Sequence, residues 1–208
     1  ENDLLRIGIS INHVKVLIEE VTRYLIFSGA NLIYGGDLFP GSYSFCILDL
    51  YRMEKKYISA NLNKIKNFLA WPMFLKVSKN WQAEISDVAE IIEIAPPSFV
   101  QRNYDLNLFI EPRGHYNKLA WALSLTNMRK KMISIENARI FTCGKLFKFA
   151  GILPGILEEF LIAIRQNKPV YLLGGFGGCT ASIVNILNGE NDISFNMEQQ
   201  EKGLRKTK

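Results

Sequence analysis

A chain of 208 residues with 48% apolar and 22% charged side chains suits one α/β domain and is ordinary for a globular protein. A net charge of +5, partly in Lys202, Arg205, Lys206 and Lys208, and no long basic stripe interleaved with aromatics, argue against a nucleic-acid surface. Three widely spaced cysteines without a CxxC pair, and only two histidines, argue against a disulfide scaffold or a metal site and point to a reducing cytosol.

In chain order, Leu5-Arg-Ile-Gly-Ile-Ser-Ile11 is a nearly continuous apolar run, as expected of a strand buried on both faces. Val14, Leu17, Ile18, Val21 and Leu25 then recur at helical spacing, with Gly29 as the stop. Asn31-Leu-Ile-Tyr-Gly-Gly-Asp37 reads as a second strand ending in glycines, and residues 42–57 as a second helix. Phe74-Leu-Lys-Val77 and Glu90-Ile-Ile-Glu-Ile-Ala95 read as further strands, the latter ended by Pro96-Pro97. An irregular connection with Arg102, Asn103 and Arg113 runs to Gly114. Then come a helix over 115–132, a strand Ala138-Arg-Ile-Phe-Thr-Cys143, and Gly144-Lys145.

The last third carries the densest signal. Gly151-Ile-Leu-Pro-Gly-Ile-Leu-Glu-Glu159 leads into an apolar helix, then Val170-Tyr-Leu-Leu-Gly-Gly-Phe-Gly-Gly178 reads as a buried strand, glycine turn and helix start. Glycines let backbone approach a ligand, and a helix N-terminus offers free N–H groups to phosphate. The alternation predicts an α/β fold, Rossmann-like and doubly wound, with a mainly parallel sheet and helices on both faces. One domain is expected over residues 1–190, with a polar, flexible tail over 191–208. No apolar run nears the ~20 residues that span a bilayer. Opening on Glu1 rather than Met fits a domain cut from a longer protein.

Each motif has two readings. Gly35-Gly-Asp37 is either backbone and a carboxylate at the mouth of a site or a tight turn capped by Asp37. Arg129 either complements the end of its helix or grips a phosphate. Lys145, just past a strand's carboxyl end, is either a phosphate or ribose contact or a surface lysine. Glu158 and Glu159 either favour a helix start or address a ribose or a glycosidic bond. Gly174-Gly-Phe-Gly-Gly178 lacks the GxGxxG spacing of a dinucleotide fingerprint and comes late in the chain, which disfavours a dehydrogenase.

Together these motifs resemble the SLOG superfamily, the Smf/DprA and Lonely-Guy-like nucleotide-binding domains, from the first strand to about Leu187. Lonely-Guy enzymes cleave the N-glycosidic bond of nucleoside monophosphates. Arg129-Lys130 matches their Arg-Lys pair, and Gly155-Ile-Leu-Glu-Glu159 the end of their PGGxGTxxE loop. The family's first glycine pair is replaced around Ile152-Leu153 and its threonine by Ile156, which counts against hydrolase activity. Tyr34-Gly-Gly-Asp-Leu38, Ala138-Arg-Ile140 with Gly144-Lys145, Pro154 to Glu159 and the 174–178 turn are more similar to the STALD branch found beside effectors of Thoeris-like antiphage systems.

That resemblance implies a non-catalytic sensor that binds an NAD-derived cyclic nucleotide, a cyclic ADP-ribose isomer, and activates an effector. The alternative is a Lonely-Guy-like phosphoribohydrolase. The implied ligand-binding residues are Gly8, Ser10, Gly35, Gly36, Asp37, Arg129, Lys145, Gly155, Glu159, Gly175 and Gly177, with Arg129 and Lys145 on the pyrophosphate and Glu159 on a ribose hydroxyl. No catalytic residue, metal, cofactor or nucleic-acid partner is implied. The resemblance further implies a homo-oligomer in the bacterial cytoplasm and an attached or neighbouring SIR2, TIR or transmembrane module. A transmembrane module would tether it to the membrane.

Overall fold

The computed structural model describes residues 4–5, 8–36, 43–54 and 65–196. Where the sequence suggests one domain through residue 190, contacts gather in two units, Ser10–Glu111 and Glu1–Ile9 with Pro112–Lys208. Among the described residues every strand pairing is parallel, and helices alternate with strands, so the α/β expectation stands.

In the unit Ser10–Glu111, helix α1 (Ile11–Phe27) buries Val14, Thr22 and Ile26 along one face. Strand β1 (Ile33–Gly35), helix α2 (Tyr43–Glu54), strand β2 (Ile65–Ala70), helix α3 (Lys79–Ile85), strand β3 (Ala89–Ile94) and helix α4 (Ser98–Asn103) follow. The sheet order is β1-β2-β3, with Gly35 opposite Phe68 and Ala70 opposite Ile94. Ile26, Leu48, Tyr51, Ile65, Ile85, Val88 and Ala89 form the core between sheet and helices. Arg23 Nε, 3.0 Å from Glu54 Oε1, ties α1 to α2.

Three expectations change in and around this unit. The run expected to be a first strand is none in its described parts: Leu4 and Leu5 are helical, and Ile11 opens α1. The N–H of Gly8 bonds the Leu5 carbonyl and that of Ile9 the Leu4 carbonyl, at 3.1 and 3.0 Å. With φ +72° at Gly8, this pattern closes a helix end. Phe74 to Val77 is not a strand either, because Met73–Lys76 is a 3-10 turn. The ladder ends at Trp71, whose N–H still bonds Ile94 O at 3.1 Å, since Pro72 has no N–H to continue it. The strand of that region is β2, hidden in the sequence by Lys66 and Asn67.

The third change is the 96–114 connection, which holds α4, with Pro97 at its N-cap and Val100 buried. It is fastened to the end of β2 by Trp71 Nε1, which donates to Leu106 O at 3.0 Å, and by packing of the Trp71 and Tyr104 rings.

In the unit of Glu1–Ile9 with Pro112–Lys208, the 22-residue helix α5 (Gly114–Ile135) leads to strand β4 (Arg139–Thr142). Helix α6 (Gly155–Arg165), strand β5 (Val170–Leu173), a 3-10 turn (Gly174–Phe176) and helix α7 (Gly178–Leu187) complete it. Arg139 pairs with Val170 and Thr142 with Leu173. Phe141, Phe160, Cys179 and Ile183 form its core, with the two phenylalanine rings edge-on at 6.2 Å. Burying Phe141 alone contributes about 1.5–3 kcal/mol.

The chain does not leave this unit at residue 191. Asn185 Nδ2 donates to Asp192 Oδ2 at 3.1 Å, Ser182 meets Ser194, and Phe195 packs on the core. Residues 197–208 lie outside the described residues.

Candidate functional site

The α5 side chains that face α6 include Arg129, only 9% exposed, rather than a solvated basic end. Its Nη1 donates to Glu158, and its Nε lies 3.4 Å from Glu159 Oε1. The second oxygen of Glu158 accepts from Thr126 Oγ1, and Glu159 Oε2 accepts from Arg139 Nη2. Arg139 Nη1 donates to Glu136 Oε2 at 2.9 Å. The result is a line of alternating charge, Glu158–Arg129–Glu159–Arg139–Glu136, from the start of α6 to the start of β4. Buried charges are tolerated when each is paired and hydrogen-bonded in this way.

The 151–155 loop is shaped to that line. A Cβ on Gly151 would stand 2.9 Å from Arg129 Nη1, and one on Gly155 would stand 2.9 Å from Nη2. Bare backbone lets the loop lie directly on the guanidinium. The far end of the line is the least satisfied. Burial pushes the Glu136 carboxyl up, against the charge and hydrogen bond of Arg139, and its Oε1 lacks a hydrogen-bond partner among the described residues. Burial works to lower Arg139, but Glu159 and Glu136 outweigh it and hold the guanidinium above its ordinary value. Lys168 Nζ closes the carboxyl end of α5 on the Ser134 and Glu136 carbonyls at 3.2 and 2.5 Å.

Beyond the loop, Lys145 is exposed at the carboxyl end of β4. Gly144 beside it has φ +93°, and a Cβ there would stand 2.4 Å from Ile156 Cγ1, at the first turn of α6. The glycine turn after β5 is used differently from the sequence expectation. The N–H groups of Cys179 and Thr180, in the first turn of α7, donate to the carbonyls of Gly144 and Cys143 at 3.0 and 2.8 Å. Gly178 permits this, since a Cβ on it would stand 2.6 Å from Gly144 O. Gly177, at φ +72°, bonds back to Gly174 O at 3.1 Å, while Gly175 has open space around it.

Beside the start of α6, burial pushes the Cys179 thiol up to about 12, against a smaller lowering influence of the Leu157 N–H. Among the described residues the amides of Gly155 and Ile156 have no backbone acceptor. A helix start with two open amides and an exposed lysine nearby is suited to an anion, while the charge of the buried Arg129 beneath is already met by Glu158 and Glu159.

The structure thus brings Arg129, Gly155 and Glu159 together, with Lys145 on the neighbouring strand end. Gly8, in the same unit, closes a helical turn. Ser10, Gly35 and Gly36 belong to the other unit. Ser10 caps α1, its N–H donating to His13 Nδ1 at 2.9 Å. The Gly36 carbonyl accepts from Asn67 Nδ2 at 3.2 Å, and the buried Asn67 Oδ1 has no partner among the described residues. Asp37 lies outside the described residues.

Arg139, Glu136 and Thr126 were not among the sequence candidates. The available signal was an arginine inside the apolar run from Ala138 to Cys143, where a lone charge needs a partner.

The family model described as SLOG cluster2 matches residues 1–206. Comparison with curated proteins and with solved structures gives no match. Among the described residues no helix is long and apolar enough to cross a membrane. With parallel α/β pairing, a glycine loop on a buried arginine and a match over almost its whole length, the chain belongs to the SLOG superfamily, a family of nucleotide-related function.

Proposed function

We propose that this protein is a sensor that binds an NAD-derived cyclic nucleotide, a cyclic ADP-ribose isomer, and leaves it intact. The observation that carries the reading is Glu159. Its Oε2 accepts from Arg139 and its Oε1 faces Arg129, so the carboxylate aligned with the hydrolase motif is held between two cations. A nucleophile or general base needs a lone pair free to reach the substrate, and this one is held by the fold.

The ligand's pyrophosphate lies, in this reading, against Lys145 and the Gly155 and Ile156 amides. Arg129, paired with Glu158 and Glu159, supports the loop from beneath, and Glu159 steadies Arg129 instead of contacting ribose. The Gly175 and Gly177 turn borders the same end of the unit. Binding that favours one arrangement of subunits or of an attached SIR2, TIR or transmembrane module would relay the signal, since a ligand shifts only those states it distinguishes. Bacterial antiphage defence, a homo-oligomer and a cytoplasmic setting belong to the same proposal.

Calorimetry with cyclic ADP-ribose isomers, followed by chromatography of the recovered ligand, tests it. Binding heat with one isomer and intact ligand is expected. Absence of heat with every isomer from folded protein overturns the sensor, and base release from a nucleoside monophosphate establishes the hydrolase alternative.

A further inference from the structure

We propose that Arg139 is a positioning residue for the 151–155 loop: by taking one oxygen of Glu159, it keeps the Arg129 fork aimed at the loop glycines. Three elements meet in this arrangement. Arg139 opens β4, and its N–H bonds Pro169 O at 2.9 Å, which fixes its backbone at the head of the sheet. Its side chain is 12% exposed and lies between Glu136 and Glu159, with the guanidinium carbon 5.8 Å from the Phe141 ring centroid. Glu159 belongs to α6 and Arg129 to α5.

The geometry of Glu159 gives the argument its direction. A carboxylate with both oxygens available takes a guanidinium in a two-pronged grip. Here Oε2 is occupied by Arg139, so Arg129 meets Glu159 only through Nε at 3.4 Å, a contact too long to satisfy that nitrogen. Both Arg129 Nη atoms lie at the loop, Nη1 also donating to Glu158, and each is 2.9 Å from the Cβ position of Gly151 or Gly155. Without Arg139, Glu159 turns both oxygens on Arg129 and competes with Glu158 for it, the fork rotates, and the loop loses the group it lies on. The functional meaning rests on the reading of this loop as the ligand's floor, but the geometry is testable without ligand.

Amide hydrogen exchange of the whole chain, read by mass spectrometry, provides the test. Arg139→Met is expected to speed exchange at the amides of residues 158–161, the first bonded turn of α6 and the one that holds the end of the loop, by about tenfold or more, while β4, β5 and α7 stay within about twofold. Arg139→Lys, which restores one charge to Glu159, is expected to recover most of the protection. In a Glu159→Gln background, Arg139→Met is expected to add less than about twofold, because its route to the loop is already cut.

Exchange rising evenly from residue 136 to residue 187 overturns the proposal, since Arg139 then only holds the fold together. A full effect persisting in the Glu159→Gln background also overturns it. Should Arg139→Met alone fail to fold, Arg139→Met with Glu159→Gln, which removes charge from both sides of the pair, carries the comparison. Cyclic ADP-ribose added to the unaltered protein is a separate arm. If it leaves exchange at 158–161 unchanged, the ligand reading suffers and the role of Arg139 stands.

Discussion

Nη2 of Arg129 lies 2.9 Å from the point where a Cβ on Gly155 would stand, so a buried cation and a bare turn of backbone are fitted to each other. Gly155→Ala forces either the guanidinium or the loop to move. It should destabilise the protein by about 1–3 kcal/mol, as overpacking does. Gly175→Ala, with open space around it, should stay within about 0.5 kcal/mol. Urea unfolding of the two variants checks the contrast, and equal midpoints would show that the fit at Gly155 is loose.

Arg129→Met removes the cation between two carboxylates that are 6% and 8% exposed. A loss of about 3–5 kcal/mol is expected, because buried charges are left uncompensated. Adding Glu158→Gln should recover part of that loss, and a double-mutant cycle by chemical denaturation measures the coupling. Strict additivity would mean the two groups do not depend on each other.

Lys145 separates binding from stability. Being exposed, its replacement by alanine should change stability by no more than about 0.5 kcal/mol. In the sensor reading the same change should weaken cyclic ADP-ribose binding by about tenfold or more, the scale of one charge-assisted contact. Calorimetry on both proteins decides, and unchanged affinity removes Lys145 from the site.

Glu136 and Asp192 should make opposite contributions to the pH dependence of stability. Burial raises the Glu136 carboxyl despite Arg139, so the folded state keeps that proton to higher pH than the unfolded chain. Its contribution therefore declines as pH rises from the usual carboxylate range through the raised value. Burial also works to raise Asp192, but hydrogen bonds from Ser194, Asn185 and Ser182 outweigh it and hold the group low. Stability from Asp192 is present above the usual range and lost as pH falls through the lowered value. Thermal melts from about pH 3 to about pH 7 should lose the declining limb in Glu136→Gln and part of the acid limb in Asp192→Asn.

Cys179 should be the last thiol to react. It is fully buried, and its thiol is pushed up to about 12 by burial, so little thiolate forms near neutral pH. Half-buried Cys143, raised by burial but lowered in part by Thr142, should react ahead of it. Mass spectrometry after iodoacetamide treatment of folded protein gives the order, and early modification of Cys179 would contradict its packing.

How much of this was legible in the sequence depended on whether the signal was local. The helix over Ile11–Phe27 showed through apolar spacing, and β3, β4 and β5 through short apolar runs. Strand β2 did not show, because Asn67 is a buried polar residue whose acceptor, Gly36 O, lies just past the end of β1. The run before Ile11 misled because its apolar residues end a helix at Gly8, and periodicity over so few residues does not distinguish the two.

At the site, Arg129, Gly155 and Glu159 were visible as a motif. Their mutual pairing was not, since Glu158 and Glu159 at a helix start look like ordinary dipole partners. Arg139 lies 20 residues from its partner Glu159. Nothing in the local pattern links the two.

The closing of α7 on the Cys143 and Gly144 carbonyls gives its glycines a different meaning. Those two oxygens already sit at the positive end of the helix, so the segment carries its own internal counter-ion. A glycine-rich string between a strand and a helix therefore does not by itself mark an anion site; here it records where two stretches of main chain are clasped together. Turning that clasp into a receptor would require prising the chain from itself before any guest could enter.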